Sequence, residues 1–264
     1  MDNCLQIKKE YRKRKLLLIT YQLSLLAFIL ITWELLAHFD IINDFIFSRP
    51  TAILKLLITY IKKNELFIHI RISIIETILG IIIGSIGGIL IAAILWYSEM
   101  LTKILQPFLN VLNALPKTAL APIMIIWAGT NIKGIVVVAI SILLVITILT
   151  TYNHFKNVDE EKIKMLKSFG ATKTQIFTKL IFPSNLGNIA SVVKINIGMS
   201  WIGVIVGEFL VSRAGIGYLI MYGGQVFKLD LVMMGVLVLA VCAFLMYVLV
   251  DKLEKWIMKK RGEK

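Results

Sequence analysis

The chain alternates long apolar runs with short polar segments that are mostly basic. Residues 16–33, 77–98, 134–155 and 231–250 contain no Asp, Glu, Lys or Arg, and 180–207 is interrupted only by Lys194. A spanning helix needs about 20 largely apolar residues at 1.5 Å rise each. The runs therefore predict spans at about 16–38, 72–97, 133–153, 187–210 and 230–251. A sixth, at about 107–130, is apolar but carries Pro107, Pro116 and Pro122. Each proline removes a helical hydrogen bond, which predicts a kinked or partly re-entrant segment. The first run exceeds the roughly 7–15 residues of a cleaved leader's apolar region and no small-residue cleavage site follows, so it reads as a span. In the second span, Gly80, Gly84, Gly87 and Gly88 repeat on one side at three- and four-residue steps. That spacing lets helices approach closely, and packing within the chain is its expected use.

Composition agrees and adds orientation. Of 264 residues, 58% are hydrophobic and 17% charged, yet 29 Lys+Arg against 16 Asp+Glu leave a net charge of +13. Such a chain is too apolar for disorder. Two distant cysteines, Cys4 and Cys242, do not make a disulfide scaffold. A soluble nucleic-acid binder would not carry these uncharged runs, so membrane lipid, and not nucleic acid, is the expected surrounding. With the N-terminus inside, segments 1–15, 98–106 plus Lys117, 154–186 and 252–264 hold 20 Lys/Arg. The outer segments hold 8, and Lys194 lies within a span. The positive-inside rule then gives an N-in, C-in, multi-pass protein of the plasma membrane. Its parts are a basic cytoplasmic N-terminus (1–15), one transmembrane domain (16–251) and a basic cytoplasmic C-terminus (252–264).

One inner segment, 154–186, is more than a connection. Asn157, with Glu160 three residues on, predicts a capping box. Glu160 and Glu161 in the first turn and Lys167 in the last suit the helix dipole. Ile163, Leu166 and Phe169 or Gly170 fall on one apolar face. Gly170 stands where a left-handed helix terminator belongs, Thr172 and Gln175 predict a second capping box, and Pro183 is expected to stop that second helix. Two stiff helices with a break form an elbow that can carry force from a cytoplasmic partner. An amphipathic pair lying on the lipid surface is the other reading.

Ionisable residues in spans are costly and usually face protein or a water path. Glu34, next to Trp33, reads as an interfacial anchor. Lys194, near an inner span end, reads as a snorkelling side chain. Glu76 is ambiguous, and Glu208, crowded with Trp201, Gly203 and Gly207, is the best candidate for a pathway residue. His38, His69 and His154 are scattered, and no catalytic or metal-binding motif and no phosphate-binding loop is present. Catalytic residues, metal ligands and a bound cofactor are therefore not assigned to this chain.

The loop resembles the cytoplasmic coupling loop of binding-protein-dependent ABC-importer permeases, particularly the nitrate/sulfonate/taurine branch. Val158-Asp159-Glu160-Glu161, Gly170-Ala171 and Phe182-Pro183 carry the likeness. Further fragments occur in the same order: Leu115-Pro116, Ala121-Pro122, Trp127-Ala128-Gly129, Trp201-Ile202-Gly203-Val204, Gly207-Glu208 and Gly215-Ile216-Gly217-Tyr218-Leu219-Ile220. Together they cover roughly 48–260. Two departures stand out. Lys164-Met165-Leu166 replaces the family's Glu-Ala-Ala, and Glu76 stands where a basic residue is expected.

The resemblance implies an all-α fold of six transmembrane helices of the type I importer kind. It implies coupling residues at Glu160, Glu161, Ile163, Lys164, Leu166, Lys167, Phe169, Gly170 and Ala171. It implies a translocation path near Pro116, Pro122, Trp127, Trp201 and Glu208, and an outer gate at Gly215, Gly217 and Tyr218. The implied partners are a second permease subunit in a homodimer or pseudo-symmetric pair, two ABC ATPase subunits that bind the ATP and Mg, and an extracytoplasmic solute-binding protein. The implied solute is a small anion such as an aliphatic sulfonate, taurine or nitrate. The alternative is an ion-coupled secondary transporter or channel that uses Glu76, Lys194 and Glu208 as relays.

Overall fold

The computed structural model describes the backbone of residues 2–260 and the side chains of Lys13, Arg14 and residues 16–255. Thirteen α-helices follow one another: α1 (Asp2–His38), α2 (Asp44–Phe47), α3 (Pro50–Lys62), α4 (Glu65–Tyr97), α5 (Glu99–Ala114), α6 (Lys117–Ala128), α7 (Ile132–Lys156), α8 (Glu160–Ser168), α9 (Lys173–Ile176), α10 (Phe182–Ser184), α11 (Leu186–Val211), α12 (Ile216–Gln225) and α13 (Leu229–Lys260). Among the described residues five are long and apolar enough to span a membrane, and the bent pair α5–α6 makes up to six. The expected boundaries at residues 15 and 251 lie inside continuous helices, because polarity changes there but helical hydrogen bonding does not. The basic side chains of 1–12 and 256–264 lie outside the described residues.

The core is the bundle of α4, α7 and α11. Lipid removes the hydrophobic drive between helices, so close packing and interhelical hydrogen bonds must hold them. Both are present. A side chain on Gly80 would press on Ser200 and Ala139, one on Gly84 on Leu143, and one on Gly88 on Thr147. Gly87 is only half-buried and lies at the edge of this seam, where a side chain would make ordinary contact with Leu144. Gly203 of α11 lies against the backbone of Ala139 in α7. Between these contacts, buried Asn196 donates to Ser85 Oγ at 2.8 Å and to Thr147 Oγ1 at 2.9 Å, tying all three helices together. Ser200 Oγ donates to the Thr77 carbonyl at 3.0 Å.

Other helices pack around this stem. α6 lies on α7 and α11, and α12, α13 and α3 form the other flank. Residues 16–31 of α1 are all exposed on the chain. The helix is fastened at its outer end, where Glu34 accepts from Thr51 N (3.0 Å) and Thr51 Oγ1 (2.8 Å). Glu34 thus caps α3 in addition to marking the interface. α4 has 33 residues, about 50 Å at 1.5 Å each, so it begins seven residues before the hydropathic span and stands proud of a bilayer core of about 30 Å.

The proline-rich segment breaks once. α5 and α6 meet at 101° across Leu115–Pro116. Leu115 is extended, as the residue before a proline prefers. This is the kinked or partly re-entrant segment expected, with the bend at Pro116 and with Pro107 and Pro122 inside uninterrupted helices. Pro183 does not end its helix either. It is absorbed at the start of α10, after a π-helical turn, Phe177–Ile181, that re-registers the backbone where its N–H is missing.

The seam yields a paired test on one helix. Gly203→Ala would drive a methyl into the α7 backbone, which cannot rotate away, and should cost about 1–3 kcal/mol. Gly198→Ala meets nothing within 4 Å and should leave stability unchanged or slightly raised. Thermal unfolding in lipid nanodiscs separates them; equal melting temperatures would refute close packing at this crossing.

Candidate functional site

Two assemblies sit at opposite ends of the stem. At the inner end is the elbow. Asp159, not Asn157, caps α8, its Oδ1 accepting from Glu161 N at 2.9 Å. Asn157 is already engaged in closing α7, which runs three residues further than hydropathy indicates. Lys164 pairs with Glu160 within α8 at 3.7 Å, both widely exposed, so this pair adds little stability. Ile163 and Leu166 turn inward onto a cluster of Ala92, Phe155, Ile176, Ile181 and Ile189. Phe169, predicted for the same face, is instead 80% exposed, with Met165 beside it at 53%. Glu160, Glu161, Lys167 and Gly170 are also exposed, and Ala171 is half-buried.

The break is built from local hydrogen bonds. Gly170 has φ +76°. Its N–H donates to the Lys167 carbonyl at 2.9 Å, and Ala171 N–H donates to the Leu166 carbonyl at 3.0 Å, a Schellman termination that favours glycine at this position. Thr172 and Gln175 then form the predicted capping box, with bonds of 2.8 and 3.3 Å. Below it, Phe177 is packed among Trp96, Tyr97, Phe155 and Phe182, with ring centroids 5.1–6.1 Å away. Lys173 Nζ donates to the Tyr97 carbonyl at 2.8 Å and lies 5.6 Å above the Trp96 ring. A cation thus closes the carbonyl end of α4. The elbow is packed onto the inner ends of α4 and α7.

At the outer end, the N-terminus of α12 is seated on side chains from α4 and α11. Glu208 Oε1 accepts from Ser73 Oγ at 2.5 Å, and Oε2 accepts from Gly217 N at 2.5 Å and Tyr218 N at 3.4 Å. Ser73 Oγ accepts from Ile216 N at 2.8 Å, and His69 Nδ1 from Gly215 N at 2.9 Å. The orphan N–H groups of a helix start are all answered, and a carboxylate faces the positive end of the dipole. This seat explains the Gly-x-Gly pattern. Gly215 has φ +127°, and a side chain there would overlap the Glu208 carboxylate; one on Gly217 would come within 2.8 Å of Oε2. Tyr218 stacks on His69 at 5.9 Å.

The other candidates divide. Pro116, Pro122 and Trp127 lie on the open surface of the bent pair, Trp127 being 82% exposed. Trp201 and Glu208 are buried in the chain's own core, at 4% and 1%. Lys194 does not snorkel. It is paired with Asp251 at 2.8 Å and with Glu254, both on α13. Glu76 is buried at 1% exposure, and its Oε2 has no hydrogen-bond partner among the described residues. The three residues do not form a relay, since 14 positions of α11, about 21 Å, separate Lys194 from Glu208. Sequence reasoning missed Ser73, His69, Trp96, Phe177 and Asp159. Asp159 had a signal, being the acidic residue just before the first helical turn.

Residues 84–260 match the family described as binding-protein-dependent transport system inner membrane component. The chain belongs to that family. This permease is 28% identical over 241 residues to the putative aliphatic sulfonates transport permease protein SsuC of Bacillus subtilis, covering 91% of this chain and 87% of the relative. It is 26% identical to a probable ABC transporter permease protein of Haemophilus influenzae, with 90% and 95% covered. Identity to the taurine transport system permease protein TauC of Escherichia coli is 23%, with 93% and 91% covered. Among solved structures, an inward-facing conformation of the MetNI methionine ABC transporter shares the fold with a TM-score of 0.61 at 14% identity, covering 75% of this chain and 96% of that one. The chain is thus a multi-pass inner-membrane permease of the ABC importer class, and the ion-coupled alternative is not favoured.

The seat on α12 predicts a specific loss. Ser73→Ala removes the donor to Glu208 and the acceptor for Ile216 N, leaving a buried N–H unpaired at a cost of about 1–3 kcal/mol. Thermal unfolding should register it; an unchanged melting temperature would refute the seat.

Proposed function

We propose that this permease admits a small anion of the sulfonate, taurine or nitrate type, delivered by an extracytoplasmic binding protein and driven by two ABC ATPase subunits. The observation that carries the reading is the elbow: Met165 and Phe169 stand exposed on a stiff helix whose other face is fixed to the inner ends of α4 and α7. An exposed apolar pair on a rigid mount is what a partner's groove needs, and ATP and Mg would be bound by that partner. The solute class is supported by relatives named for sulfonates and taurine. Two copies, as a homodimer or pseudo-symmetric pair, would bring the exposed α5–α6 surfaces with Pro116, Pro122 and Trp127 to a shared axis. Trp201 and Glu208 would act from behind that wall, and the segment with Gly215, Gly217 and Tyr218 would form the outer gate. ATP-driven closure then works as a preference of each bound state for one of two conformations.

Gly170 supplies the test. A β-branched residue in the left-handed region costs roughly 1–2 kcal/mol, about tenfold in the population of the turn, whereas Asn tolerates it. In proteoliposomes holding the assembled importer, Gly170→Val should lower ATP-dependent uptake of labelled taurine or sulfonate and binding-protein-stimulated ATP turnover about tenfold. Gly170→Asn should retain most of both. Equal activity in the two variants would overturn the elbow's role, and uptake driven by an ion gradient without ATP would overturn the whole reading.

A further inference from the structure

We infer that the inner ends of α4, α5 and α7 form a binding site for an anionic phospholipid of the cytoplasmic leaflet, with its phosphodiester held by Lys103 and Lys156 and an acyl chain laid along α5. A cavity of about 420 Å³ opens between these helices, and its walls include Trp96, Glu99, Lys103, Gln106, Tyr152 and Lys156. Its depth is that of the lipid headgroups. The apolar run of α4 ends at Trp96 and Tyr97, and that of α7 ends between Tyr152 and Lys156, which sets interfacial aromatic rings beside the two lysines. Lys103 and Lys156 are exposed and take no part in the six ion pairs among the described residues. The carbonyls that end α4 are already answered, Leu95 by Thr102 Oγ1 and Tyr97 by Lys173 Nζ, each at 2.8 Å. Two uncommitted cations therefore face a polar cavity whose one acidic residue is Glu99. Basic pockets between helices at the cytoplasmic face suit anionic lipid headgroups.

The pattern of α5 decides between a lipid and a soluble anion. Glu99, Lys103 and Gln106 fall at i, i+4 and i+7 and line the cavity. Met100 and Ile104 each follow a cavity residue by one position, about 100° round the helix. With Phe108 they make an exposed apolar stripe. α5 starts at the inner face and runs toward the bilayer centre, so the stripe begins beside the cavity and descends into the hydrocarbon. A soluble phosphate would use only the polar stripe, whereas a phospholipid uses both. Glu99, an acceptor, suits the hydroxyls of a glycerol headgroup and would only repel a bare phosphate. Trp96 and Glu99 also wall a second cavity of about 300 Å³, bounded by Ile163 and Lys167 of α8 and Lys173 of α9. The headgroup thus sits against the mount of the elbow. The inference does not depend on which solute the permease carries.

The test uses the full chain in phosphatidylcholine nanodiscs doped with spin-labelled phosphatidylglycerol, and reads the label immobilised on the protein. Lys103→Gln and Lys156→Gln should each weaken retention about fivefold, and together about thirtyfold, at the contribution usual for a lysine beside an anionic lipid. Lys103→Arg and Lys156→Arg should keep it. Lys179→Gln with Lys252→Gln, two exposed lysines outside the cavity, should change it little. Spin-labelled phosphatidylcholine should not be retained, and inorganic phosphate should not displace the phosphatidylglycerol. Phosphatidylglycerol with a photoreactive acyl chain should mark Met100, Ile104 or Phe108 on the unmodified chain, so a variant that fails to fold does not remove the test. Unchanged retention in the Lys103/Lys156 double variant, an equal loss in the control pair, or equal retention of phosphatidylcholine would overturn the inference. Photolabel confined to other helices would overturn it too, and displacement by inorganic phosphate would give the site to a soluble anion instead.

Discussion

The near-contact of backbones among α4, α7 and α11 is the constraint on which the other features rest. Apolar side chains cannot supply it, because in a bilayer they are as well solvated by lipid as by one another. Glycine at 80, 84, 88 and 203 lets the helices come close enough for small polar groups to meet. Asn196, Ser85, Thr147 and Ser200 then bond across the gap with their polar atoms shielded from lipid. A bulkier seam would separate those partners and turn a stabilising network into unpaired buried groups.

The same three helices carry a different device at each end. The inner ends of α4 and α7 hold the elbow through Phe177, Trp96 and Phe155. The outer ends of α4 and α11 hold the start of α12 through His69, Ser73 and Glu208. α4 belongs to both, so one uninterrupted helix joins the elbow to the α12 seat. Among the flanking helices, α1 is joined at its outer end, where Glu34 holds Thr51.

Much of this was legible in the sequence. Spans follow from the absence of charge, and orientation from where the lysines and arginines gather. The elbow's two stops and two starts are local, so Gly170 and the Thr172–Gln175 box could be read directly. What escaped was tertiary. Proline at 107 and at 122 was tolerated because each helix continues around it, which no local rule distinguishes from the break at Pro116. Phe169 stands six residues after Ile163, about 120° round the helix, so the helical twist carries it off the face that Ile163 and Leu166 bury. The bonds from Glu208 to the start of α12 could not be read locally, because they depend on where α12 packs. Its glycine neighbours held the missing clue: two glycines flanking one residue leave room for a carboxylate from elsewhere in the chain.

The elbow's bend is enclosed within a few successive residues, from the Leu166 carbonyl to the Gln175 side chain. None of those bonds comes from another part of the fold. The angle between α8 and α9 is therefore set before anything docks on it, and the exposed Met165 and Phe169 are presented already ordered. A surface prepared in this way gives up little conformational entropy on association. Under the proposed docking, binding energy gained at Phe169 would go to displacing the bundle beneath it instead of shaping the loop.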